Sequence, residues 1–120
     1  MLSSNSELVS QYLSLLSTRA SANEVLHTAV ALDLPDEDIE YLINTLKMDV
    51  NEWDLLCCTP LHIAAKLGNL TKCSVLLKNG AKLEHPGQFG RTPLQEAIFY
   101  QKGDIANFLL KTHNAREDVP

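Results

Sequence analysis

Cys57, Cys58, His62 and His85 are the side chains of this 120-residue sequence that come nearest to a metal site. A structural zinc site draws its thiolates and imidazoles in spaced pairs, commonly two cysteines two to four residues apart. Here the cysteines are adjacent, so their side chains point apart, and no second spaced pair follows. The run Asp36-Glu-Asp-Ile-Glu40 is the other concentration of ligand-type residues. It lacks the alternating ligands and central glycine of a calcium loop. A negative first turn, favoured at the positive end of a helix, accounts for it more simply. No Ser, Thr or Cys stands in a nucleophile elbow, and no glycine-rich phosphate loop is present. Cys73 falls on the inward side of a helical pattern and behaves as a small hydrophobe. The expectation is a chain that is not an enzyme, with no metal and no cofactor.

The composition narrows the class. Hydrophobic residues make up 45% and aromatics only 6%, so the core must be aliphatic, as in rows of small helices. No uncharged apolar run approaches the roughly 18 residues needed to span a bilayer. The start Met1-Leu-Ser-Ser-Asn-Ser-Glu7 has neither a basic opening nor an apolar stretch, so it is not a secretory signal. Three cysteines make a poor disulfide framework and suit a reducing compartment, cytoplasmic or nuclear. Residues 1–56 carry ten acids against Arg19 and Lys47, whereas residues 57–120 carry eight bases against five acids. The bases are scattered and the pI is near 5.2, which argues against nucleic acid. The asymmetry biases partner choice instead.

The elements that must hold these side chains are short helices. Thr59 and Thr92 are good N-caps, each followed by proline at the first helical position. Leu61, Ala64 and Ala65 give a helix with small residues on one face, and Gly68-Asn69 breaks it. Leu70–Lys78 predicts a second helix with Leu70, Cys73, Leu76 and Leu77 inward, closed by Asn79-Gly80. His85-Pro-Gly-Gln88 is a turn at the tip of an outward finger. Further on, helices are expected at about Pro93–Tyr100 and Asp104–Lys111, with Ile105, Phe108, Leu109 and Leu110 inward. His113 stands where Gly80 stood, so no further finger follows, and Asn114–Pro120 reads as a frayed tail. Upstream, Ser21-x-x-Glu24 is a capping box, and Ile39, Leu42, Ile43 and Leu46 supply the buried face of another helix. Ser4-x-x-Glu7 opens a leading helix to about Thr18, with Leu8, Tyr12, Leu15 and Leu16 on one face.

These elements recur. Cys58-Thr-Pro-Leu-His-Ile-Ala-Ala65 matches Arg91-Thr-Pro-Leu-Gln-Glu-Ala-Ile98, and Val75-Leu-Leu-Lys78 matches Phe108-Leu-Leu-Lys111, both 33 residues apart. Leu26-His-Thr-Ala29 echoes Leu61-His-Ile-Ala64 at 35 residues, which places two extra residues in Asp33-Leu-Pro-Asp36. The motif T-P-L-H-x-A at this period resembles the ankyrin repeat over about residues 22–115. The sequence departs from that pattern at Cys57, where the finger normally has glycine. It departs also at Lys72, where an aliphatic residue is usual, a hint that the back of the middle repeat is more exposed than in relatives.

The resemblance implies an all-α solenoid of stacked helix-turn-helix units with finger turns. Its parts are a capping helix at 1–20, repeats at about 22–53, 54–86 and 87–115, and a tail at 116–120. The caps at both ends favour a self-contained chain. The histidines of the Leu-His-x-Ala settings would bond backbone around the turn. Relatives of this kind bind partners through finger tips and the outward residues of each first helix. Position by position that surface is Trp53, Leu55, Leu56, Cys58, Lys66 and Leu67, then Gln88, Phe89, Arg91, Phe99 and Tyr100. Ala31 and Leu32 are the equivalents in the first repeat. Solvated fingers carry Asp, Asn, Gly and Lys, whereas these read Trp-Asp-Leu-Leu and Gln-Phe-Gly, a sticky surface. Packing of finger on finger, or finger on helix, is the alternative for some of these residues. The function implied is binding of another protein by a monomeric adaptor or inhibitor, with no nucleic acid and no membrane involved. The alternative is a regulatory or structural subunit of an enzyme assembly.

Overall fold

A computed structural model describes residues 23–117, which form six helices, one 3-10 turn and no strand. The helices are α1 (Asn23–Ala31), α2 (Asp36–Asn44), α3 (Pro60–Leu67), α4 (Leu70–Lys78), α5 (Pro93–Phe99) and α6 (Gly103–Glu117). The leading helix expected over 1–20 and the Ser4 and Ser21 caps lie outside the described residues, as do residues 118–120. The two extra residues of the first unit sit in its inter-helix loop, which has four residues where the middle repeat has two.

Local chemistry starts the helices as the sequence predicts. Thr59 donates its N–H to His62 Nδ1 at 3.1 Å and accepts the His62 N–H at 3.4 Å. Thr92 and Gln95 form the same reciprocal cap at 2.9 and 3.3 Å. Helices α1, α3 and α5 stack in one layer, and α2, α4 and α6 in the other. Ala64, Ala65 and Ala97 are fully buried and allow close approach, and Leu26, Ile39, Leu42, Leu61, Leu76, Ile105 and Leu109 fill the space between layers.

The period is also written in the backbone. Each first helix ends on a left-handed residue, Asp33, Gly68 or Gln101 at φ 56, 76 and 60°. The next amide then reaches back five residues: Leu34 to Ala29, Asn69 to Ala64 and Lys102 to Ala97, at 3.1, 3.0 and 2.7 Å. Lys47 occupies the place of Gly80, and Cys57 that of Gly90, both with positive φ. Packing imposes the conformation even where glycine is missing.

The structure corrects several expectations. Lys72 does not mark an exposed back, because it is only 3% exposed. Its ammonium lies 2.7 Å from Asp36 Oδ1 and 3.2 Å from Asp33 Oδ1. Leu70 is exposed: it lies about 200° round the helix from Lys72, on the far side of the buried face. Leu46 falls beyond the end of α2 and is exposed, outside the helical periodicity that would have turned it inward. Leu110 is exposed although its equivalent Leu77 is buried, because among the described residues no further helix pair stacks on α6. Helix α6 runs to Glu117, so residues 114–117 are helical rather than the start of a frayed tail.

Candidate protein-binding surface

The fingers are two copies of one turn. Asp54 N–H donates to the Cys58 carbonyl at 2.9 Å and Cys57 N–H to the Asp54 carbonyl at 3.0 Å. At the corresponding positions, Gly87 donates to Arg91 at 2.7 Å and Gly90 to Gly87 at 2.9 Å. The Asp54 carboxylate braces the first finger by accepting the Leu56 and Cys58 amides, each at 2.9 Å.

A histidine from the preceding repeat holds each finger in place. His27 Nε2–H donates to the Cys58 carbonyl at 2.6 Å, and His62 Nε2–H to the Arg91 carbonyl at 2.9 Å. His62 Nδ1 accepts from the Thr59 amide, which fixes the neutral Nε2–H tautomer. Burial holds His62 below the ordinary histidine range, against the pull of the Arg91 carbonyl and with His85 adding to the fall. The second finger passes so close to His62 that a Cβ at Gly87 would lie 2.6 Å from Nε2. Only glycine fits there.

Braced in this way, the fingers present apolar side chains to solvent. Leu55 is 92% exposed and Phe89 80%, the latter on a left-handed residue at φ 60°. Trp53 is 55% exposed, because one ring face stacks on His85 of the next finger at 5.1 Å and 17°. Leu56 and Leu67 are exposed, while Cys58 and Gln88 are half-buried. Burial raises the Cys58 thiol above its usual range, and it pushes Cys73 up to about 12.

The last repeat carries the most organised part. Arg91 Nε–H donates to Glu96 Oε1 at 2.6 Å, and its guanidinium lies 4.1 Å from the centre of the Phe99 ring and 5.2 Å from that of Phe89. Phe99 meets Tyr100 edge-on at 5.0 Å, and the Lys66 ammonium lies 5.2 Å over Tyr100.

Two shallow depressions open along this face. One, of about 330 Å³, gathers Leu55 and Leu56 with His27, Thr28, Ala31, Asp54 and Ile63. The other, of about 360 Å³, gathers Phe89, Arg91 and Phe99 with Gly90, Gln95 and Ile98. Trp53 belongs to neither. Thr28, Ile63, Gln95 and Ile98 were missed from sequence. Thr28 and Ile63 were detectable one turn before Ala31 and Lys66 on the same helix faces. Ile98 was hidden because its equivalent, Ala65, is fully buried.

The four ligand-type residues at 57–85 do not converge: among the described residues no group of three His, Cys, Asp or Glu side chains is placed to hold a metal. Instead the His62 and His85 rings meet edge-on at 6.2 Å. No helix of the described residues is long and apolar enough to cross a membrane.

The family model for ankyrin repeats, in three copies, matches residues 26–119. Among curated proteins the chain is similar to human neurogenic locus notch homolog protein 4, 35% identical over 61 residues, covering 51% of this chain and 3% of that one. It is similar to human ankyrin repeat domain-containing protein 13B, 31% identical over 74 residues, covering 62% and 12%. It is similar also to serine/threonine-protein kinase 12 of Arabidopsis thaliana, 32% identical over 83 residues, covering 69% and 18%. The chain thus spans under a fifth of each of these relatives. The repeated caps, the left-handed turns and this match together place the chain in the ankyrin-repeat family.

Proposed function

We propose that this chain is a non-catalytic binding module that holds a segment of another protein across its fingers and the outward face of α3 and α5, as an adaptor or inhibitor. Ankyrin repeats are in general protein–protein interaction modules, and that coarser statement follows from the family. The observation that carries the finer reading is the exposure of Leu55, Leu56 and Phe89 on turns braced by hydrogen bonds, with Phe99 exposed at the end of α5 beside them. Large apolar side chains on a rigid support lose little entropy on binding. The same reading keeps the chain monomeric and in a reducing compartment, cytoplasmic or nuclear, because an adjacent cysteine pair and a lone third make no disulfide framework.

The test measures partner affinity and denaturation midpoint on the same variants. Leu55→Ala, Phe89→Ala and Phe99→Ala are expected to weaken binding by about 2 kcal/mol where they anchor the partner. Leu76→Ala, a core truncation, should instead cost roughly 2–5 kcal/mol of stability. Finger variants that unfold as readily as Leu76→Ala, or that bind normally, would overturn the reading. A second reading, an ankyrin unit within an enzyme assembly, is supported by the similarity to a protein kinase of which the chain spans 18%. It predicts stoichiometric co-purification with an enzyme whose turnover changes when the chain is removed.

A further inference from the structure

Lys66, Tyr100, Phe99 and Arg91 form a row of cation, ring, ring and cation, with successive separations of 5.2, 5.0 and 4.1 Å. The two rings hold the ends of both cations in place. Arg91 has five N–H donors in a rigid fork. Only its Nε–H is engaged, by Glu96, and among the described residues no acceptor takes its four Nη hydrogens. No carboxylate among the described residues pairs with Lys66.

The acids nearby are already committed. Glu96 is buried beneath Arg91, and the Asp54 carboxylate accepts two finger amides. The face therefore offers the charge of Lys66 and the unused Nη donors of an Arg91 already balanced by Glu96, beside apolar surface at Ile98 and Phe89. Its setting is a half-chain with eight bases against five acids. The complement is a carboxylate flanked by a large apolar side chain.

We infer that the occupant of this surface is an extended segment of a partner protein that places an Asp or Glu carboxylate on the outer edge of Arg91, with an adjacent apolar side chain in the Phe89–Ile98–Phe99 depression and a second acid toward Lys66. The inference rests on the protein-binding reading and names the partner's chemistry. A buried Glu96 behind the guanidinium orients it. The rings limit its rotation, so the incoming carboxylate meets a fork already in place.

The probe is a random linear peptide library displayed on phage and sorted on the immobilised full chain. Selected peptides are then synthesised with their acids and with the amide isosteres, and titrated by fluorescence anisotropy. The expected result is enrichment of Asp or Glu next to Leu, Ile, Phe or Trp, with amide versions binding about tenfold weaker. That gap should close in Lys66→Gln and in the paired variant Arg91→Gln/Glu96→Gln, which avoids stranding a buried carboxylate. Its melting curve confirms folding. The inference is overturned if nothing is enriched, if selected peptides are basic or uncharged, if phosphoserine versions are preferred, or if the gap persists in the paired variant. Uncharged peptides that lose binding in Phe99→Ala would sink the carboxylate and leave the groove. Peptides indifferent to both Phe99→Ala and Leu55→Ala would sink the groove itself.

Discussion

The Nε2–H of His62 donates to the carbonyl of Arg91 at 2.9 Å, and this one bond ties the middle repeat's first helix to the finger that carries Phe89. The same ring accepts the Thr59 amide on Nδ1, and only the neutral ring can fill both roles, because a proton on Nδ1 would displace that cap.

Acid should therefore break the Thr59 cap on Nδ1 and destabilise the fold around the ring that holds the finger. Burial lowers the folded-state value of His62 below the ordinary 6.5, so between the two values the unfolded chain binds more protons. The stabilisation is complete above about 6.5 and drains away as pH falls below it. Melting temperature should drop between pH 7.5 and 5.5, and His62→Gln should show a flatter dependence. Equal slopes for both proteins would remove His62 as the cause.

Two single substitutions in the fingers should act with opposite sign. Cys57 holds φ 65° where the second finger has glycine, so Cys57→Gly should stabilise by about 0.5–1 kcal/mol. Gly87→Ala drives a methyl into the His62 ring and should cost roughly 1–3 kcal/mol. Urea denaturation of both variants decides the matter.

The Lys72 cluster joins the first repeat to the second. Burial draws the ammonium down, but the bonds and charges of Asp36 and Asp33 outweigh it and hold it above the ordinary lysine range. Asn69 and Lys72 lower Asp33 in turn. Lys72→Met should change stability by less than about 1 kcal/mol, because both acids keep contact with water. Asp33→Asn/Asp36→Asn should cost more than Lys72→Met, by leaving a buried ammonium without a counter-ion. Adding Lys72→Met to that pair should restore much of the loss.

What could be read from sequence was whatever the chain settles locally. Thr59-Pro60 and Thr92-Pro93 set helix starts through bonds spanning three residues, so caps, helices and period were legible. Lys72 was not, because its counter-ions lie 36 and 39 residues away, Asp36 at the start of α2 and Asp33 in the preceding loop that the period does not preserve. Ile98 and Leu110 misled for a different reason. They share positions with buried Ala65 and Leu77, and their exposure depends on what stacks next. On the candidate surface, the exposed Leu and Phe positions followed from finger spacing. The ring-held state of Arg91 did not, because it depends on side-chain directions.

Thiol labelling should report the same environments. Cys57 is exposed, Cys58 is half-buried with its thiol raised, and Cys73 is buried with its thiol near 12. Iodoacetamide at neutral pH should modify Cys57 first, Cys58 more slowly and Cys73 only on unfolding. Peptide mass mapping over time gives the order, and early loss of Cys73 would contradict the core described.

The central claim is that a partner lies on the fingers and first helices, and amide hydrogen exchange of the complex tests it most directly. With a partner recovered from the cell of origin, slowed exchange is expected at residues 53–58, 63–67, 88–91 and 95–100. Helices α2 and α4 should exchange as in the free chain. Protection confined to α2, α4 or α6, with residues 53–58 and 88–91 unchanged, would contradict the account.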